Sequence, residues 1–164
     1  MSLALLLDEA GVRDRTEIVA TDVSARALAK AREGNYGNRS LRALPPNPTP
    51  TGFTDLLGRL SSAAIVREGQ RAQVSRSVVA DIDYRQLNLL DDAAAASLGT
   101  FDLVLCRNVL IYFADPTVRR VVATLARSLN EGSRLVIGAS ESLLRFGTIL
   151  RCEERGGAFL YGLP

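Results

Sequence analysis

The chain has 164 residues, 47% of them hydrophobic, enough to bury the core of one domain. Its 20 basic and 18 acidic residues leave a formal net charge of +2, and the basic residues are scattered rather than gathered in a stripe, so nothing supports a nucleic-acid footprint. The lack of any histidine excludes a histidine triad, a histidine general base and a histidine metal site.

In chain order, MSLALLLDEAG places apolar residues at Leu3, Leu6, Leu7 and Ala10, a helical spacing that Gly11 closes. The apolar run is short and has no basic leader, so neither a signal peptide nor a membrane span is expected, and the protein is expected in the cytoplasm. EIVATDVS reads as a β-branched strand from about Glu17 to Thr21 ending on Asp22, with Ser24 as the N-cap of the helix ARALAKARE. Beyond Gly34 come Asn35, Gly37 and Asn38, then Pro45, Pro46, Pro48 and Pro50. Regular structure is not expected there until about Gly52.

Residues Ala63 to Ser77 read as two short strands around Glu68-Gly69, a hairpin with glycine in the turn. Ile82 to Leu87 is a further strand, followed by an Ala-rich helix over about Asp91 to Leu98. Asp102 to Leu105 reads as a strand buried on both faces, and a helix from about Pro116 to Leu129 is closed by Asn130 and Gly132. Ser133 to Ile137 is the next strand, and Thr148 to Cys152 with Ala158 to Tyr161 form a terminal hairpin around Gly156-Gly157. Strands alternating with helices predict an α/β fold with an open, mostly parallel sheet covered on both faces. Cys106 and Cys152 lie far apart with no metal-ligand spacing, so reduced thiols and no metal are expected.

Ligands of such sheets bind beyond the carboxyl ends of the strands, where three polar clusters fall. Asp22 can accept both hydroxyls of a ribose, although an acidic residue there also suits the following helix N-terminus. Asn88, followed by Leu89 and Leu90, can bond an adenine edge, or can cap a turn above core leucines. Arg107 and Asn108 follow an apolar strand directly and need polar partners, whether a ligand or a structural salt bridge.

Four stretches, IVATDVSARALAKAREGNY, QLNLLDD, FDLVLCRNVLIYF and GASESL, occur in this order. Together they resemble the catalytic domain of the CheR family, the chemotaxis receptor methyltransferases, which transfer a methyl group from S-adenosylmethionine (SAM) to receptor glutamates. The resemblance covers nearly the whole chain and implies a Rossmann-like SAM-dependent methyltransferase sheet over residues 1–164, with a loop and small β-subdomain inserted at 35–78 and a C-terminal β-hairpin. It implies that Asp22 holds the ribose hydroxyls, that Asn88 and Leu89 flank the adenine, and that Arg107 and Asn108 lie against the amino-acid or sulfonium end. Tyr112 resembles the tyrosine near the transferred methyl, so Tyr112 and Arg107 are the candidate catalytic residues.

A glutamate with a pKa near 4.3 is already ionised at pH 7, so this chemistry needs no general base and suits a chain without histidine. The enzyme's task is in-line positioning, worth roughly 7 to 11 kcal/mol. The implied partner is a chemoreceptor or other signalling protein, with no nucleic acid, membrane insertion or metal involved. The hairpin of residues 63–77 resembles a subdomain that in some members adds a strand from a receptor tail.

Two departures from the family pattern stand out. Ala139 occupies the place of the histidine in the family's GHSES, and the Gly-rich acidic segment and helical domain that precede the MSLALLLDEAG region in relatives are not in this sequence. The fold is therefore expected to be N-terminally truncated. The alternative to a catalytic domain is a non-catalytic remnant that serves as a protein-binding module.

Overall fold

The computed structural model describes residues 2–37, 65–68, 71–138, 140–156 and 158–164. By contacts the chain divides into two compact units, Met1–Gln86 and Leu87–Pro164, each with its own core.

The first unit opens with helix α1 (Ser2–Glu9) and a 3₁₀ turn (Arg13–Arg15), then β1 (Ile18–Asp22) and α2 (Ala25–Glu33). Ser24 caps α2 by accepting the Ala27 amide at 3.2 Å, while Lys30 and Arg32 in the last turn oppose its C-terminal dipole. Gly34 ends the helix at φ +68°, and a Cβ there would stand 2.9 Å from the carbonyl oxygen of Val74, so both conformation and space call for glycine. Three short strands follow, β2 (Asn35–Gly37), β3 (Ile65–Glu68) and β4 (Arg71–Val74), then helix α3 (Arg76–Ala80) and β5 (Ile82–Gln86).

Strands β1 and β5 pair in parallel, Ile18 opposite Ile82 through Asp22 opposite Gln86. Strands β2, β4 and β3 form a separate antiparallel sheet in that order. Ala4, Leu5, Val74, Val78, Val79 and Ile82 make the core of this unit, with Ile18, Ala20 and Tyr84 packed against it.

Three details of this unit correct the sequence reading. The buried face of α1 is Ala4 and Leu5, while Leu6 is exposed, because five consecutive apolar residues fit any helical face and tertiary contact chooses among them. Asn35 to Gly37 form an edge strand, whose pairing with β4 runs through the main chain and asks little of the side chains. Helix α3 was hidden between two strand readings; Ser75 caps it, and Val78 and Val79 bury its inner face. The proline-rich segment and the turn glycine Gly69 lie outside the described residues.

The second unit contains α4 (Asp92–Ala96), β6 (Phe101–Cys106), a 3₁₀ turn (Leu110–Tyr112), α5 (Asp115–Arg127), β7 (Leu129–Ile137), a 3₁₀ turn (Leu144–Phe146), β8 (Arg151–Arg155) and β9 (Ala158–Gly162). Its sheet runs β6-β7-β9-β8, parallel between β6 and β7 and antiparallel elsewhere. On α5 the buried residues Val118, Val121, Val122, Leu125 and Ala126 recur at helical spacing and pack with Leu135, Ile137 and Leu143. Asp92 fastens α4 to α5: its carboxylate accepts the Thr124 hydroxyl at 2.5 Å and pairs with Arg120 and Arg127. Strand–helix alternation with two parallel pairings is the α/β, Rossmann-like class that the sequence predicts, but the expected open, mostly parallel sheet is not seen among the described residues, where the strands form three sheets and four of the six pairings are antiparallel.

Within this unit only one face of β6 is packed, against the expectation of burial on both. Val104 and Cys106 face the α5 core, whereas Leu103 and Leu105 are 42% and 46% exposed, as strict alternation along a strand requires when one face has cover. Asn130 and Gly132 do not end α5 but lie inside β7, which starts at Leu129. Ser128 stops the helix, and a register shift between Phe101 and Leu103 takes up the extra residues, Gly132 among them at φ +76°. The hairpin strand β8 begins at Arg151, three residues later than the expected Thr148.

Candidate functional site

The loop that leaves β6 gathers three of the sequence-predicted residues, and its conformation follows from one carboxylate. Cys106 ends the strand, buried against α5, and Arg107 and Asn108 are exposed. Asn108 sits at φ +59°, the one left-handed non-glycine among the described residues; asparagine tolerates that region better than most. Val109 and Phe113 are half-buried, Leu110 is anchored in the core, and the turn Leu110–Tyr112 leaves Ile111 and Tyr112 exposed, Tyr112 at 80%.

Glu141 reaches this loop from the segment after β7. Its Oε1 accepts the amides of Val109 at 3.0 Å, Leu110 at 2.8 Å and Ile111 at 3.4 Å, and its Oε2 accepts those of Asn108 at 2.8 Å and Gly138 at 2.6 Å. Amides at the start of a short helix have no partner within it, so a carboxylate there satisfies donors and meets the positive end of the turn. Burial pushes the Glu141 carboxyl up, but the amide hydrogen bonds together outweigh it and hold the group below the usual glutamate range. Burial, helped by the Glu141 charge, pushes the Cys106 thiol up to about 11, so this cysteine is a packing residue.

The segment that carries Glu141 is itself tied down. The Glu141 amide donates to the Gly138 carbonyl at 2.9 Å, the Leu143 amide to the Tyr161 hydroxyl at 3.3 Å, and Arg145 pairs with Asp115 at 3.1 Å. Arg119 donates to the Phe146 carbonyl.

The other predicted residues lie elsewhere. Asn88 and Leu89 open the second unit: the Asn88 Oδ1 accepts the Leu90 amide at 3.0 Å, and Leu89 and Leu90 pack on the core, so this asparagine caps a turn through its oxygen. Asp22 belongs to the first unit, at the end of β1 opposite Gln86, where its Oδ1 accepts the Ser24 amide at 2.7 Å. Gln86 in turn donates to the Val23 carbonyl at 2.9 Å. No ion pair of Arg107 occurs among the described residues. Ala139, the departure in GASES, lies outside the described residues.

The sequence reading missed Glu141. Its signal was the acidic residue of GASES, but the partners stand some thirty residues upstream, a distance that no local pattern spans.

Among the described residues no helix is long and apolar enough to cross a membrane, and none of them form a metal-ligating group of His, Cys, Asp and Glu. A family model described as CheR methyltransferase, SAM binding domain, matches residues 1–155. The chain is 39% identical over 134 residues to a chemotaxis protein methyltransferase of Vibrio parahaemolyticus, an overlap covering 81% of this chain and 44% of the relative. It is 34% identical over 149 residues to chemotaxis protein methyltransferase 1 of Pseudomonas aeruginosa, covering 87% and 50%, and 34% identical over 164 residues to the chemotaxis protein methyltransferase of Klebsiella aerogenes, covering 99% and 52%. The chain thus spans about half the length of the curated relatives it matches. With a parallel β6–β7 pair whose outgoing loop displays Arg107, Asn108 and Tyr112, and with this match, the chain belongs to the CheR methyltransferase SAM-binding domain family.

Proposed function

We propose that this chain carries the SAM-binding and methyl-transfer part of a protein-glutamate O-methyltransferase acting in the cytoplasm on chemoreceptors or related signalling proteins. The observation that carries the reading is the β6 loop, which holds a cation, an amide and a phenol at the surface on a backbone fixed by four hydrogen bonds to Glu141. In this reading residues 1–164 act as one catalytic domain, with 35–78 an inserted loop and β-subdomain.

The donor set fits the cofactor chemically. Asp22 keeps Oδ2 outside its bond to Ser24 and would take the ribose hydroxyls. Asn88 uses Oδ1 in its turn, which leaves the amide nitrogen as the donor toward an adenine edge beside Leu89. Arg107 offers a planar guanidinium suited to a carboxylate, of the methionine part or of the substrate glutamate, and Asn108 stands beside it.

SAM, when bound, supplies an electrophilic methyl. The protein's own contribution is to orient the substrate carboxylate, ionised at neutral pH, with Tyr112 and Arg107 as the groups that hydrogen-bond it. Excluding water from the carboxylate would sharpen its attack. Neither a general base nor a metal is required.

A second reading, a non-catalytic protein-binding module, draws on the β2-β4-β3 sheet. There β3 pairs with β4 alone among the described residues, which leaves an edge to which a peptide strand can add.

Calorimetric titration of S-adenosylhomocysteine, the demethylated cofactor, into the purified chain separates the two. Micromolar binding abolished by Asp22→Ala, with folding checked by circular dichroism, supports the enzyme. A folded chain that binds none rejects the enzyme and leaves the binding module.

A further inference from the structure

We infer that Glu141 is a positioning residue for the methyl-transfer site: its carboxylate fixes the backbone of residues 108–111 and thereby sets where Arg107, Asn108 and Tyr112 stand. The inference rests on reading the β6 loop as part of that site.

Four of the five amides that Glu141 accepts belong to the loop, and the fifth is that of Gly138, the residue just after β7. The carboxylate therefore bridges the carboxyl ends of two adjacent parallel strands, where ligands of α/β sheets bind. The loop's own hold on the core is small: Leu110 is buried, Val109 and Phe113 only partly, and Arg107, Asn108, Ile111 and Tyr112 are exposed. Without the carboxylate, four neighbouring amides lose their acceptor while β6, β7 and α5 keep theirs. Asn108 also loses the contacts that offset its left-handed backbone. The loop would then open locally and the rest of the unit would stay folded.

Glutamine cannot substitute. Its side-chain nitrogen only donates, so whichever way the amide turns, either the Oε1 set of three amides or the Oε2 set of two faces another donor. Aspartate keeps both acceptor oxygens but is one methylene short, and should restore part of the hold.

The test compares the full chain with Glu141→Gln and Glu141→Asp by two readouts: hydrogen exchange of the amides of residues 108–111, and S-adenosylhomocysteine affinity by calorimetry. The expected result for Glu141→Gln is exchange at 108–111 faster by about tenfold or more with α5 and β7 amides unchanged. Affinity should weaken by about tenfold, and Glu141→Asp should lie between it and the parent on both readouts. Unchanged exchange at 108–111 overturns the clamp, and fast exchange with unchanged affinity overturns its link to the site. Exchange needs no ligand, so a parent chain that binds no S-adenosylhomocysteine while its clamp responds as expected sinks the enzyme reading and the positioning role, but leaves the clamp standing. If Glu141→Gln fails to fold, Glu141→Asp alone decides by the same two measurements.

Discussion

Gly138 and Glu141 bond each other twice: the Gly138 amide donates to Glu141 Oε2 at 2.6 Å, and the Glu141 amide returns to the Gly138 carbonyl at 2.9 Å. A Cβ on residue 138 would stand 2.6 Å from that same Oε2 and 3.1 Å from the Asn108 nitrogen. The carboxylate end of a free side chain would swing aside at little cost, but this one is held by five amides and cannot move without releasing some of them. Gly138→Ala should therefore destabilise the chain by about 1–3 kcal/mol, the usual range for overpacking. Urea unfolding measures it, and a midpoint equal to that of the parent chain would show that the carboxylate relaxes freely.

The pH dependence of stability follows from the same carboxylate. Burial would raise the Glu141 carboxyl, but the amide bonds of Asn108, Gly138, Leu110 and Ile111 outweigh burial and depress it. A depressed folded-state value means that the stabilisation is fully present above the unfolded value of about 4.3 and is lost as pH falls through the lower folded value. The stability gap between the parent and Glu141→Gln, which does not titrate, should stay level from neutral pH down to about pH 5 and shrink below about pH 4. A gap that stays constant into the acid range sinks this account.

Much of this arrangement was legible in the sequence because it rests on local rules. Ser24 caps α2 as its place after the strand implied, and helices form where the Ala-rich run from about Asp91 and the stretch from about Pro116 were read, as α4 and α5. Asp22, Asn88 and Arg107-Asn108 announced themselves as polar residues placed where apolar strands stop. What could not be read was set by partners distant in sequence. The exposure of Leu103 and Leu105 depends on which face of β6 receives a helix, and the turn-capping state of Asn88 on a choice between two equally ordinary uses of an asparagine. Glu141 is the clearest case, since its residue type and local context suited a solvent-facing loop, and only the fold brings it to Asn108.

The two cysteines should behave very differently toward thiol reagents. Cys152 is exposed on β8, whereas Cys106 is buried behind the loop, with its thiol pushed up to about 11 by burial and then by Glu141. At pH 8 only roughly one Cys106 in a thousand is a thiolate, and it is shielded as well. A chromogenic disulfide reagent should count one fast thiol in the native chain and two after denaturation. In Glu141→Gln, which removes the neighbouring charge and loosens the loop, the second thiol should react faster. Two fast thiols in the native parent chain would contradict the burial of Cys106.

Tyr112 separates stability from catalysis. Its side chain is 80% exposed and no hydrogen bond to its hydroxyl occurs among the described residues, so Tyr112→Phe should shift unfolding by no more than about 0.5 kcal/mol. If the phenol orients the substrate carboxylate, the same change removes a hydrogen bond to a charged group, worth about 1.5–3 kcal/mol. Methylation of a receptor glutamate should then slow by between about tenfold and a little over a hundredfold, with S-adenosylhomocysteine affinity unchanged if, as proposed, Asp22, Asn88, Leu89, Arg107 and Asn108 hold the cofactor. Radiolabelled methyl transfer to a receptor fragment, followed beside calorimetry on the same preparation, reads both. Loss of affinity together with rate would place Tyr112 at the cofactor, and full activity in Tyr112→Phe would leave Arg107 as the residue to test for holding the carboxylate.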